Sequence, residues 1–461
     1  NPVVKEAYER ELEKQLLPRV ATMLEGQIRA NMKDREKLIN SLRAYLMLNM
    51  KDRRDAAWLK DWIAADWSQR YTGNTAVQNG LNTHLERLLQ QPFIYPLNEQ
   101  LVAQARQILR SESLATVVYR MLREQARNLP DYRFSQHLGP QGSLFIGTEY
   151  VIPGFYTQTG YQQYFSVQGA SLVTDILRDN WVLGEGAGIS DMDLRRLMVE
   201  LEQLYFRDYA NYWSEAVGQV ALPPISDAGE GAEQLAGLTS ANSPVLALLT
   251  EVRENTRFQA AADPVEEAGD AADALAGQKG KLGKVGKLAA AAADKASALN
   301  VAKTLPDTAK KSLQRRFEPL HRLLDDNNGP AADLTPALSA LNDLQLQLAG
   351  LARSSTPEQA AFEMAKTRMS GQRDALTNLR NASSRLPRPL SVWFNVLAED
   401  SWRLVLNDAY QYLNGRYQNE LYSVYGKTIS KRYPFSASST SDVAISDFRE
   451  FFRAQGTIDR F

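Results

Sequence analysis

The sequence predicts an all-α protein of multi-domain helical bundles, with a minor irregular or β segment near residues 145–165. Three observations predict it. Apolar residues recur at helical spacing through most of the chain, alternating strand-like runs are scarce, and the breaks between periodic stretches fall on Pro, Gly and capping residues. With 461 residues, 44% of them hydrophobic, and a mean hydropathy of -0.38, the chain has room for two to four domains and ample core.

From Pro2 to about Tyr71 the pattern is helical, and Leu16, Leu17, Val20, Leu24 and Ile28 fall on one face. Leu42, Leu46, Leu48 and Met50 continue the spacing before the charged patch KDRR, and Trp58 and Trp62, four residues apart, share a face. Further helices are expected at Thr75–Leu89, Glu99–Arg110 and Glu112–Asn128, the last stopped by Pro130. Tyr150–Thr174 then runs 25 residues without a charge, in a chain that is 23% charged. It is long enough to span a bilayer, but its scattered Gln and Thr and the Pro153-Gly154 pair argue against a span. It reads instead as a packed irregular element with one or two short strands between helices. Phe155, Tyr156, Tyr161, Tyr164 and Phe165 anchor it, and Tyr161 is expected to be buried.

A Gly-rich turn leads to Ser190 as a helix cap. From Leu194 to Trp213 helical period holds for about five turns, the best amphipathic pattern in the chain. Helices at Ala228–Leu238 and Pro244–Phe258 follow. Composition changes at Ala260: through Asn300 the chain is mainly Ala, Gly, Lys and Asp, a flexible linker or insertion with a short helix around Leu288–Leu299. Helical patterns return from Val301 to Lys431, with interruptions at Asn327–Pro330, Pro336, Pro357 and Pro387–Pro389. The last stretch is a turn, a capped short helix and a tail. Phe448, Phe451 and Phe452 form one apolar edge, expected to pack back on the helical region Trp393–Tyr425. The resulting division is 1–259 as N-terminal helical domain or domains with an embedded irregular segment 140–189, 260–300 as linker, 301–432 as a second helical domain, and 433–461 as a lead-in to a further module.

Lys and Arg (53) nearly balance Asp and Glu (54), so no overall field draws the chain to nucleic acid or anionic lipid. Without cysteine there is no thiolate catalysis, Cys-based zinc site or disulfide. His84, His137 and His321 lie far apart, and none has a second ligand-type residue at metal spacing. GKLGKVGKL at Gly280–Leu288 has the composition of a phosphate loop, but no Gly-Lys pair is followed by Ser or Thr and no apolar strand precedes it. Ser240-Ala241-Asn242 matches one element of the penicillin-recognising enzymes, but their Ser-x-x-Lys motif is absent. No catalytic, cofactor-binding or metal-binding residue is assigned, no cofactor is expected, and the chain reads as a scaffold rather than an enzyme. The alternative is a helical periplasmic peptidoglycan hydrolase using a lone carboxylate such as Glu399, with the Asp325-Asp326 and Glu399-Asp400 pairs as its acidic candidates. Some of the 19 tyrosines are expected at protein contacts, where tyrosine is enriched.

Several stretches, in order, resemble the IcmF/TssM family, the large inner-membrane subunit of bacterial type VI secretion systems. They are LRAYLMLNMKD at Leu42–Asp52, LVAQARQIL at Leu101–Leu109, VVYRML, LPDYRF, GPQGSLF, IPGFYTQTGYQQYF at Ile152–Phe165, DNWVLG, LYFRDYANYW at Leu204–Trp213, LTSANSPVLALLTEVRENT at Leu238–Thr256 and the Tyr-Pro-Phe stretch Arg432–Phe461. The resemblance implies the helical part of a periplasmic region, excised from an inner-membrane protein, without its membrane anchor, its cytoplasmic domain or the β-rich module that contacts the outer-membrane lipoprotein TssJ. It implies a structural role in the envelope-spanning core complex that anchors the secretion machine. The implied partners are other copies of the chain and, in the full-length protein, the inner-membrane subunit TssL and TssJ. The TssJ contact is expected outside this sequence.

Overall fold

The structure, a computed structural model, describes residues 1–184, 191–258 and 307–461. The Ser190 cap, the 260–300 linker with its Leu288–Leu299 helix, and Gly280–Leu288 lie outside the described residues. What is described is all-α, and its only β pairing is in isolated bridges. In chain order the helices are α1 Pro2–Glu11, α2 Leu17–Ala30, α3 Arg35–Met47, α4 Ala56–Arg70, α5 Thr75–Leu89, α6 Glu99–Arg110, α7 Leu114–Gln125 and α8 Ser166–Arg178. Then come α9 Asp191–Gln219, α10 Ala228–Thr239, α11 Pro244–Thr256, α12 Thr308–His321, α13 Thr335–Arg353 and α14 Pro357–Met369. The last are α15 Ala375–Ser383, α16 Leu390–Arg416, α17 Ser423–Thr428, α18 Ile445–Phe452 and α19 Thr457–Arg460.

Local chemistry sets most of the helix starts. Asp34, Asp55, Asn74, Asn98, Ser113, Asp227 and Asp374 each accept a hydrogen bond from the backbone N–H three residues on, satisfying a donor that the first turn leaves free. This is why α5 and α6 start where the pattern predicts, and why α7 starts at Leu114 rather than Glu112. Pro336 and Pro357 do not interrupt helices. They sit in the first turns of α13 and α14, where proline's missing N–H costs nothing. A π-helical turn, Leu12–Leu16, joins α1 to α2 just before Pro18 and lets the helix run through that proline.

The chain forms two compact units. Unit 1 contains Asn1–Arg127 and Gln162–Tyr205. Its core is aliphatic, built from Leu24, Ile28, Leu38, Leu42, Leu59, Ile63, Leu85, Leu88 and Leu101. Arg54 serves the interior as a hydrogen-bonding hub: its guanidinium donates to the carbonyls of Met47, Leu48 and Phe93 and lies 3.8 Å over the Phe93 ring. Trp58 and Trp62 stack with centroids 5.6 Å apart, as their shared face predicts. The second half of the uncharged run departs from expectation. It is helical, a π turn Gly160–Phe165 continuing into α8, because its aromatic and small residues pack at helical spacing once the pattern is not confused by missing charges.

Unit 2 contains Asn128–Tyr161, residues 206–258 and Asp307–Phe461. Here α10 packs on α13, α11 on α12, and α14 and α15 on α16. The division at 260–300 therefore differs from the contact grouping, which joins 128–161 and 206–258 with 307–461. A change of composition marks where the chain alters character, but helices on either side of it share a core. In place of the expected short strands, the segment 128–161 makes two antiparallel bridges, Tyr132 with Ile152 and Ile146 with Ala221. Gly147 permits the second: its φ is 76°, and a Cβ there would lie 1.9 Å from the Gln219 carbonyl oxygen. The short helix α18 has no side-chain cap, against expectation; Ala444 precedes it.

Candidate protein-interaction surface

The residues weighed for chemistry stay apart. The Tyr8 hydroxyl and His84 Nδ1 lie 2.5 Å apart. His137 stacks on Tyr132 with centroids 4.4 Å apart, and its Nδ1 is 4.0 Å from Glu251. His321 is buried, its Nε2 2.6 Å from the Thr256 hydroxyl, and burial, helped by Arg257 and Arg253, pulls its pKa down to about 4. The Asp325 carboxylate is spent on the N–H groups of Asn327 and Gly329, folding its own loop. Glu399 is exposed on α16, while its neighbour Asp400 is buried and accepts from the Ile225 N–H. Among the described residues no group of three or more His, Asp or Glu side chains is arranged to hold a metal ion.

One carboxyl group that the sequence did not single out has a perturbed setting. Burial raises the pKa of Glu251, opposed by a 2.5 Å hydrogen bond from the Tyr132 hydroxyl and by nearby His137, while Glu254 adds to the rise. Burial also pushes the Tyr132 phenol well above its ordinary value. The cluster fastens the 128–161 segment to α11: the Asn255 side-chain oxygen accepts from the Gln158 N–H at 3.1 Å, and the Tyr209 hydroxyl donates to the Asn255 carbonyl. Trp213 Nε1 donates to the Tyr156 carbonyl at 2.7 Å. Phe155, Tyr156, Tyr161 and Phe165 are buried as expected, and Tyr164 is half-buried.

The surface carries the more telling pattern. Of the large hydrophobic side chains left exposed among the described residues, more than half follow Leu390. The helix α16 continues without a break through a π turn, Tyr417–Tyr422, into α17. That turn places Tyr417 and Tyr422 five residues apart yet stacked, with centroids 5.9 Å apart. Beyond α17, Phe435, Phe448 and Phe452 form an aromatic shelf, with Phe448 and Phe452 4.7 Å apart and Phe435 6.2 Å from each. The terminal phenylalanines do not all pack back as expected. Phe451 is buried beside Tyr425 at 5.6 Å and Phe461 meets Tyr417 at 6.0 Å, whereas Phe448 and Phe452 are 43% and 44% exposed. Only one side of an eight-residue helix can face inward, and Phe451 takes it.

A monomeric surface seldom keeps so much apolar area together unless something covers it. The sequence signal that would have revealed it is a helix apolar on two sides: α16 buries Trp393, Phe394, Leu397 and Val405, yet leaves Val392, Val396, Leu406 and Tyr410 exposed. Among the described residues no helix is long and apolar enough to cross a membrane.

Comparison with known proteins gives consistent results. The family profile "IcmF-related: Intracellular multiplication and human macrophage-killing" matches residues 1–257. The type VI secretion system component TssM1 of Pseudomonas aeruginosa is 26% identical over 462 residues, covering 96% of this chain and 40% of that protein. The chain thus spans about two-fifths of that relative's length. A solved structure of a type VI secretion system membrane core complex contains a chain of similar fold, with a TM-score of 0.52 and 20% identity over 76% of this chain and 61% of that one. The profile match takes in more than half of the sequence, and the chain belongs to the IcmF-related family.

Proposed function

We propose that this chain is a structural, non-catalytic part of a type VI secretion membrane core complex. In this reading it lies in the periplasm as part of an inner-membrane protein, spans the envelope and anchors the secretion machine. It associates with further copies of itself, and in the whole protein with TssL and TssJ. The observation that carries the reading is the relationship to TssM1 along 96% of the chain. The exposed aromatic shelf supports it, since a load-bearing subunit needs surfaces for neighbours and rigid helices between them.

The test uses the full-length protein in a cell with an active type VI system. Changing Phe448 and Phe452 together to Asp should leave the protein's abundance unchanged and abolish assembled membrane complexes, seen as loss of fluorescent foci and of secretion. Normal assembly by that variant would remove the shelf from the interface. Placement is tested with a cysteine introduced at exposed Gln411 in this cysteine-free sequence: a membrane-impermeant maleimide should label it once the outer membrane alone is opened. Clearing of purified cell wall by the wild-type chain, lost on Glu399→Gln, would overturn the non-catalytic reading.

A further inference from the structure

The outer side of α16 reads as a helix-pairing seam. Val392, Val396, Glu399, Arg403, Leu406 and Tyr410 are all exposed, and they follow one another at alternating spacings of four and three residues. The average repeat is that of a left-handed coiled coil rather than of a free helix. The four apolar members are 39–65% exposed, and the seam runs for about 27 Å along the helix axis. Arg403 is not locked away by its 3.4 Å ion pair with Asp400, because its side chain stays 70% exposed.

The order of residue types along the seam selects what covers it. From its midpoint at Ser401 the seam has the same character in both directions: first a charge, Glu399 or Arg403; then an aliphatic residue, Val396 or Leu406; then Val392 or Tyr410. A second copy laid antiparallel, with its two-fold axis beside Ser401, sets apolar against apolar at every outer level. It also sets each Glu399 against the other copy's Arg403. A parallel, in-register pair would put glutamate against glutamate and arginine against arginine, which charge at a helix seam disfavours. An unrelated apolar helix or a lipid surface would leave the central charges without a counterpart.

We propose that α16 pairs with α16 of a second copy as an antiparallel, two-fold symmetric helix pair centred on Ser401, with reciprocal Glu399–Arg403 contacts fixing direction and register. The choice of a second copy as occupant rests on the assembly reading above; the face, direction and register rest on the seam itself. Such an interface is isologous, each copy offering the same patch.

Because the chain has no native cysteine, direction can be read by disulfide formation. Purified Val396→Cys and Leu406→Cys chains, oxidised separately, should each stay largely uncross-linked, while their mixture gives a covalent dimer. Equal cross-linking of Leu406→Cys with itself would overturn the antiparallel arrangement. Self-association measured by sedimentation tests the charges: Glu399→Arg and Arg403→Glu should each weaken it roughly tenfold. The double variant, and an equal mixture of the two single variants, should regain most of that loss. All four changed positions are exposed, and an unchanged circular dichroism spectrum checks the fold. If the chain associates but ignores the charge changes, α16 is not the face, and assembly of copies survives as an idea. If the wild-type chain stays monomeric at about 100 µM, self-pairing is overturned while assembly through other subunits is untouched.

Discussion

Tyr209 and Tyr422 belong to the same unit and both sit in long helical runs, yet one is 0% and the other 55% exposed. Around Tyr209 every polar tip is turned inward and used: its own hydroxyl meets the Asn255 carbonyl, and the Trp213 N–H meets Tyr156. Phe134 and Trp213 meet edge to face at 5.7 Å. Around Tyr422 the rings touch one another, Tyr417 on one side and the Phe435 shelf farther along, without a second layer of helices over them. The same side chains therefore serve two ends. Where backbone carbonyls are within reach of the ring's polar tip, aromatics close a core; where they are not, they are left as contact surface.

The comparison is broken or sharpened by substitutions, ordered here by expected effect. Trp213→Ala should cost about 4 kcal/mol, since it removes a fully buried ring and strands the Tyr156 carbonyl; denaturant unfolding checks this. Tyr161→Ala, which removes a ring 5.3 Å from Phe206 and 5.0 Å from Phe258, should cost roughly 3 kcal/mol by the same measurement. An unchanged unfolding midpoint would move Tyr161 from the core to the surface class.

The pH dependence comes next in size. His321 has a folded pKa lowered to about 4 from an ordinary 6.5, chiefly by burial. The neutral ring is the form that folding favours, so its stabilisation is complete above pH 6.5 and is lost as pH falls toward 4. Replacing His321 with Gln should flatten that part of the stability–pH profile. Glu251 acts with the opposite sign: its raised pKa means that acidification relieves a buried charge. Glu251→Gln should therefore improve stability relative to wild type more at neutral pH than near pH 5. The smallest effect belongs to the shelf: Phe452→Ser should change stability by no more than about 0.5 kcal/mol, whereas Phe451→Ser should destabilise measurably. A large loss from Phe452→Ser would mean that the shelf is core after all.

Much of the fold was legible because helix starts are written locally. Asn74 and Asn98 cap α5 and α6, and both helices occupy the ranges that periodicity predicts. The stretch Gly160–Thr174 was not legible as helix, because without charges its polar face carries only Gln, Ser and Thr and gives little contrast with the apolar one. The domain grouping was hidden for another reason: which helices share a core depends on contacts across long separations, as between α10 and α13. The interaction surface was half legible. The aromatic enrichment after Trp393 is plain in the sequence, but which side of α16 faces inward follows only from the packing of α14 and α15.

The π turn at Tyr417–Tyr422 has a consequence for inheritance as well as for shape. A helix advances by about 100° per residue, so the extra residue held in that turn sets the rotational phase of everything after it. Deleting a single residue there would restore ordinary winding and swing α17 and the shelf by about a quarter turn, with no change in composition. Insertions and deletions of one residue at this point are thus a means by which related chains can re-aim their terminal aromatics while keeping the preceding helix, and its seam, as they are.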